Sequence, residues 1–193
     1  MRDLKTFRLV NEIETTMIYD SLIKLSPNIL PFFEKNDYRL YISLNELEAE
    51  SKFPSIFLIS HDQGNLLEKI LKVEIVCSAG VYFGFIKKGI FFLSLEGVEF
   101  FHNQDKIPKS KQIIVNKEGE KSILYGNNVL KKMVIIMPLE LKKNDFMVVF
   151  NQNQEIIAIA KSLIDYKSYQ NIDSNKITAI NLVDKGYFLR KKQ

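Results

Sequence analysis

Residues 146–160 read FMVVFNQNQEIIAIA. Two apolar runs, Phe146–Phe150 and Ile156–Ala160, flank the polar loop Asn151–Glu155. β-branched and aromatic residues on either side of a short polar loop form a hairpin signature. The neighbouring sequence extends the pattern. Lys111–Val115, Val134–Met137 (ended by Pro138) and Ile177–Leu182 read as further short strands. Lys185-Gly186 breaks the last of them, and Tyr187–Arg190 follows. Ser122–Leu130 reads as a short helix or helical turn interrupted by Gly126. Short strands with turn residues between them predict a small mixed β barrel in this half.

The first half reads differently. In NEIETTMIYDSLIKL, residues 11–25, Ile13, Met17, Leu22 and Leu25 recur at near-helical spacing, and Ser26-Pro27-Asn28 stops the pattern. Tyr38–Ile42 reads as a short strand. Ser43 with Glu46 makes a capping-box pattern that opens a helix through about Ala49. Ser55–Ser60 is a strand, His61–Gly64 is turn-like and Leu66–Leu71 is helical in pattern. Val73–Ser78, Val81–Ile86 and Ile90–Leu95 follow as three β-rich runs, punctuated by Gly80 and Lys87-Lys88-Gly89, which predicts an antiparallel meander. Glu96–His102 closes the half as a short helix. The expected class is α+β: an N-terminal antiparallel sheet with flanking helices, then a C-terminal barrel. Asn103–Ser110 (NQDKIPKS) is the expected boundary, giving domains 1–104 and 105–193.

Composition narrows the class further. The 193 residues are 46% hydrophobic and 26% charged, which excludes a disordered or low-complexity chain. No apolar run approaches the roughly 18 residues of a membrane span. The charged start MRDLKTFRLVNEIE has no apolar signal core, so an intracellular, cytoplasmic protein is expected, with no membrane contact. One cysteine, Cys77, and two histidines leave no disulfide and no Cys/His zinc site. No cofactor or metal is expected.

Charge is divided unevenly. Residues 1–104 hold 11 Lys+Arg and 14 Asp+Glu, whereas residues 105–193 hold 16 and 9. The whole basic excess lies in the second half, which points to an anionic partner for it or to a solvated lysine-rich surface. Lys131 and Lys132 follow the expected helix, where cations also suit the helix dipole. Lys161, Lys167 and Lys176 lie after or between short strands, amid tyrosines in DYKSYQNIDSNK. Lysine holds phosphate as a point charge, and Tyr166 or Tyr169 offers a ring for a base. These five lysines are the candidate RNA-binding residues. Arg190-Lys191-Lys192-Gln193 reads as a basic tail, disordered or not.

Catalytic constellations are weak. Cys77 sits inside a β run with no base beside it in sequence, which suits a packed core thiol. His61-Asp62 has no Ser in a G-x-S-x-G elbow to serve. Glu46, Glu48 and Glu50 do not face one another on a helix. Gly80 and Gly84 lack the Lys-Ser/Thr of a phosphate loop. No enzyme is expected.

Residues 119–132 read GEKSILYGNNVLKK. With KQIIV before them and IAIAKS and VDKGYFLR after them, they resemble a PUA domain, the RNA-binding module of pseudouridine synthases and archaeosine transglycosylases. The closer resemblance is to the nuclear-import-protein-seven family of large-ribosomal-subunit biogenesis factors, in its archaeal-like form. Leu124-Tyr125-Gly126-Asn127 and Val129-Leu130-Lys131 match that family's F-L-Y-G-N-H-V-L-K-S phrase. Ser78-x-Gly80-x-x-Phe83-Gly84 and the start Met1-Arg2-x-Leu4 are similar to its N-terminal domain. The resemblance implies an N-terminal α+β domain that holds pre-ribosomal protein partners, a C-terminal PUA barrel that binds rRNA, and no enzymatic activity. It implies RNA contacts at Lys161-Ser162 and, downstream, at Lys167 and Lys176. The chain departs from it at Asn128 (His in the family), at Lys132 (Ser) and at Ile157–Ala160, where relatives carry glycine. The expected function is that of a non-enzymatic RNA-binding factor in large-subunit assembly, nucleolar if the source is a eukaryote. The alternative is a tRNA-modification enzyme or accessory subunit, with Cys77, His61 or Asp62 as its only catalytic candidates. A protein-interaction adaptor whose basic half binds acidic proteins is the third class.

Overall fold

The computed structural model describes residues 7–44, 53–74, 76 and 78–190. Cys77, the Glu46–Glu50 segment, the Met1-Arg2-x-Leu4 start and Lys191–Gln193 lie outside the described residues. The chain divides into two compact units, Met1–Phe100 and Phe101–Gln193.

The first unit is a five-stranded antiparallel sheet with helices. In order its elements are β1 (Phe7–Leu9), α1 (Glu12–Leu25), α2 (Ile29–Asn36), β2 (Arg39–Ser43), β3 (Ser55–Ile59), α3 (His61–Ile70), β4 (Val81–Lys87) and β5 (Ile90–Leu93), after which α4 (Leu95–Asn103) begins. The strands pair in sequence order, β1 to β5. Asn11 starts α1 through a reciprocal cap: its side chain accepts from the Glu14 N–H, and the Glu14 carboxylate accepts from the Asn11 N–H. Arg8 forks onto the same carboxylate at 2.8 and 2.9 Å and holds Glu14 below the usual carboxylate range. The buried stripe of α1 is Ile18, Leu22 and Leu25, while Ile13 is 68% exposed. The expected face is therefore corrected. Ile13 lies five residues before Ile18, off the four-and-three spacing that keeps side chains on one stripe.

Two further expectations change in this unit. His61–Gly64 is the first turn of α3, not a separate turn. Gly64 sits inside the helix, with the Arg39 and Tyr41 side chains 3.4 and 3.6 Å from where its Cβ would stand. Of the three β-rich runs, β4 and β5 are strands, while Val73 and Glu74, which begin the other, lie in the turn that ends α3. Both donate back to Ile70, and Val73 is 79% exposed. Those N–H groups are spent on the turn and cannot join a ladder.

The second unit contains β6 (Gln112–Val115), α5 (Lys117–Leu124), β7 (Val129–Leu130), β8 (Val134–Ile136), β9 (Phe146–Phe150), β10 (Ile156–Ser162), α6 (Tyr166–Asn171), β11 (Ile177–Asp184) and α7 (Tyr187–Arg190), with 3₁₀ turns at Lys109–Lys111 and Lys131–Met133. The sheet order is β7-β11-β10-β9-β6-β8, with β6 and β9 parallel and all other pairs antiparallel. It forms a nearly closed mixed barrel. The hairpin read from residues 146–160 is β9–β10. Asn151 pins its loop by accepting from the Asn153 and Glu155 N–H groups, and its amide donates to Glu120 and Glu155. The expected helix at Ser122–Leu130 is displaced. Asn116 caps α5 by accepting from the Gly119 N–H, and Glu118 and Glu120 suit its first turn. Gly126, at φ +91°, turns the chain out of the helix, so that Val129–Leu130 is a strand.

The barrel core is Ile113, Val115, Ile123, Val129, Met137, Leu141, Met147, Val149, Ile157, Ala158, Ala160 and Ala179. Ile123 anchors α5 to it with no exposed surface. Ile123→Ala is expected to cost about 2–5 kcal/mol through lost burial and the cavity left behind. Denaturant melts of the two proteins check this, and a midpoint shift at unchanged m-value is the expected signature.

Candidate nucleic-acid interface

The five candidate lysines are not equivalent. Lys131 is committed internally. Its ammonium donates to the Gln170 carbonyl at 3.0 Å and the Ile172 carbonyl at 2.8 Å, and lies 5.4 Å over the Tyr169 ring. It thus holds the C-terminal end of α6. Neither Lys131 nor Lys132 follows a helix, contrary to the sequence expectation. Both stand in the 3₁₀ turn between β7 and β8. Backbone bonds place them beside the turn before β11: Lys131 N–H donates to the Lys176 carbonyl, and Lys132 N–H to the Ser174 carbonyl.

Lys132, Lys161, Lys167 and Lys176 make no side-chain hydrogen bond or ion pair among the described residues. Lys132, Lys167 and Lys176 are exposed and Lys161 is half-buried. Lys161 lies within β10, opposite Ile180 of β11. Ile180 is three residues along β11 from Ile177, the partner of Leu130, and three residues of strand advance about 10 Å. Lys167 stands on α6 and not in a loop, one turn before the end that Lys131 clasps. The fold therefore gathers Lys131, Lys132 and Lys176 at one end of the β7–β11 pair, with α6 tied to the same end. Ile177 of β11 is exposed at that end, at 41%, and Ile180 and Leu182 are exposed further along the strand, at 37% and 44%.

The tyrosines do something other than expected. Tyr166 and Tyr169 stack on each other at 6.2 Å and pack against the barrel core. Burial pushes the Tyr169 hydroxyl above its ordinary range. Nor do Ile157–Ala160 offer open backbone: Ala158 and Ala160 are fully buried in the core, where a Cβ replaces the glycine that would admit a ligand. Ser162 is also buried, and its hydroxyl bonds the Ile164 carbonyl.

A second surface element lies at the turn after α5. The 124–127 phrase forms the turn after α5, and Tyr125 on it is 66% exposed. The turn is braced from below. Asp184, 3% exposed, receives both Arg190 nitrogens at 2.9 and 3.0 Å, and Arg190 also donates to the Leu124 carbonyl. The Asn181 amide donates to the carbonyls of Ile123 and Asn127 and to Asp184, while Asn128 accepts from the Asn181 N–H. Arg190 is thus part of the folded unit and not of a loose tail. The sequence signal was Asp184 itself, an acid ending an apolar strand, which needs a cation once buried. Among the described residues no group of three or more His, Cys, Asp or Glu is placed to hold a metal, and no helix is long and apolar enough to cross a membrane.

Lys131→Gln removes two charge-assisted hydrogen bonds and is expected to lower the melting temperature measurably. Lys132→Gln removes an exposed charge and is expected to stay within about 0.5 kcal/mol of the parent. Thermal melts of the two single variants, monitored by far-UV circular dichroism, separate them.

Comparison with known proteins agrees with this geometry. The chain is 23% identical over 171 residues to a UPF0113 protein of Archaeoglobus fulgidus, covering 89% of this chain and 91% of that one. It is 28% identical over 90 residues to the tRNA-guanine(15) transglycosylase of Methanobrevibacter smithii, a match of 44% of this chain that spans only 14% of that enzyme. Among solved structures, a hypothetical protein of Pyrococcus horikoshii superposes with a TM-score of 0.64 at 11% identity, covering 97% of this chain and all of that one. A conserved PUA domain protein of Thermoplasma acidophilum gives 0.62 at 13% identity, covering 97% and 99%. These likenesses show the fold. Residues 111–193, which hold β6–β11 with all five candidate lysines and the 124–127 turn, match the family model of the UPF0113 PUA domain, and a PUA domain suggests RNA binding.

Proposed function

We propose that this protein is an RNA-binding factor without catalytic activity of its own, that it serves assembly of the large ribosomal subunit in the cytoplasm, and that its RNA is ribosomal. The observation that carries the reading is the PUA match of residues 111–193, laid over a basic surface on which four lysines have no ion-pair partner among the described residues. Lys132, Lys161, Lys167 and Lys176 neutralise phosphates and release counterions. The exposed aliphatic row of Ile177, Ile180 and Leu182 takes base faces, which single-stranded and loop RNA offer and A-form duplex hides. Tyr125, beside the Arg190 bracing, supplies a further ring at the 124–127 turn. The first unit holds a pre-ribosomal protein partner. Assignment to the large subunit rests on the Leu124–Asn127 phrase and its context, described above.

The match to a tRNA-guanine(15) transglycosylase favours one second reading, a tRNA-modification accessory subunit. Filter binding of large-subunit rRNA fragments and of tRNA transcripts, beside co-sedimentation with large-subunit precursors, decides between the two. The assembly reading expects precursor association and rRNA bound at least about tenfold more tightly, a difference of about 1.4 kcal/mol. Tighter binding of tRNA with no precursor association overturns it.

With about four phosphates contacted, log K should fall with log salt at a slope near −3 for a single strand. The Lys132→Gln/Lys176→Gln double variant should make that slope shallower by about 1.4. Affinity independent of salt contradicts the phosphate mechanism.

A further inference from the structure

The hairpin of β4 and β5 in the first unit carries aromatic rings in register. Phe85 and Phe92 are directly cross-strand partners, with ring centroids 5.2 Å apart and planes within 10°. Phe53 stacks on the other side of Phe85 at 5.7 Å and 21°. All three rings are half-buried. The column ends at an edge, because β5 pairs only with β4, and Phe85 is the only ring partner of Phe92 among the described residues.

Lysines stand beside the column. Lys87 pairs with Ile90 across the hairpin, one pleat repeat beyond Phe85–Phe92 and on the same face, and its ammonium sits 4.7 Å over the Phe53 ring. Lys88 and Gly89 form the two-residue tip with φ +51° and +74°. Positive φ at both positions is the type I′ pattern, which favours Asn or Gly at the first of them, so a lysine there costs backbone strain. Neither Lys87 nor Lys88 has an ion-pair partner among the described residues. Cross-strand stacking alone would stabilise the sheet with any apolar neighbours. Lys87 over the Phe53 end and Lys88 at the hairpin tip flank a ring column whose Phe92 end lies on the edge strand, and rings beside cations match what a nucleotide presents: a flat base and an anionic phosphate.

We propose that this face of the first unit is a second RNA contact, in which an unpaired base extends the column on the outer side of Phe92 while Lys88 and, swung off the Phe53 ring, Lys87 hold phosphates of the same strand. The proposal rests on the RNA-binding reading above and adds a site outside the PUA-matched region.

The test is fluorescence anisotropy of a labelled 12-nucleotide single-stranded RNA with the full chain and four variants. Phe92→Leu keeps apolar volume and removes the π face, and it should weaken binding about tenfold. Phe92→Tyr keeps the face and should restore it. Lys87→Gln/Lys88→Gln should make the salt slope shallower by about 1.4. Lys132→Gln/Lys176→Gln reports on the second unit, and circular dichroism melts confirm that each variant folds. If the first-unit variants bind like the parent while Lys132→Gln/Lys176→Gln weakens binding, RNA contact is confined to the second unit and the proposal falls, leaving this face to a protein. If Phe92→Leu and Phe92→Tyr weaken binding alike, stacking is not the contact and the proposal falls. If the full chain does not bind RNA at low salt, the proposal falls together with the reading beneath it.

Discussion

Two strands at opposite ends of one sheet are joined by three residues. β7 and β8 are the edges of the six-stranded sheet, and only Lys131–Met133 lie between them. A flat sheet of six strands would hold its edges about 24 Å apart at the usual strand spacing. A link of three residues reaches no further than about 15 Å. The sheet must curl until its edges nearly meet. That single covalent constraint encloses the core that holds Ile113, Val149, Ala158 and Ala160. It also sets Lys131 and Lys132 at the seam, where their backbones pair with the 174–176 turn and tie the start of β11 to the edge.

Charge on this barrel divides by what each group must satisfy. Asp184 is buried, and an unpaired buried carboxylate is costly, so Arg190 is bound to it and cannot be spared for a ligand. Lys131 is similarly bound, to the open carbonyls that end α6. Both are basic residues of a basic half, and both serve the fold. Of the five candidate lysines, Lys132, Lys161, Lys167 and Lys176 have no side-chain hydrogen bond or ion pair among the described residues. A lysine count therefore overstates the binding surface, and the hydrogen-bond partners of each ammonium correct it.

The hairpin at 146–160, the helix at the N-terminus and the α+β order were legible because each is a local pattern. Polar punctuation between apolar runs names a turn wherever it occurs. The α5 boundary was less legible. Ser122–Leu130 has a helical look, yet Asn116 capped the helix earlier and Gly126 ended it. Val73 and Glu74 misled in the opposite direction, since they follow a helix whose closing turn takes their N–H groups. In both places competition for the same backbone groups settled the outcome.

The sequence by itself determined the 146–160 hairpin and the N-terminal helix, that the basic excess belongs to residues 105–193, and which phrase matches an RNA-binding module. These follow from spacing and chemistry along the chain, which need no partner distant in sequence. Only the tertiary structure decided which lysines are free. Lys131 meets Gln170 and Ile172 across about forty residues, and Arg190 meets Leu124 across more than sixty. Only the fold, too, placed Ala158 and Ala160 inside the barrel and aligned Phe53, Phe85 and Phe92 in one column. The physical reason is that an ammonium or a ring is spent or spared by what lies against it, and in this chain those neighbours are set by sheet closure and register.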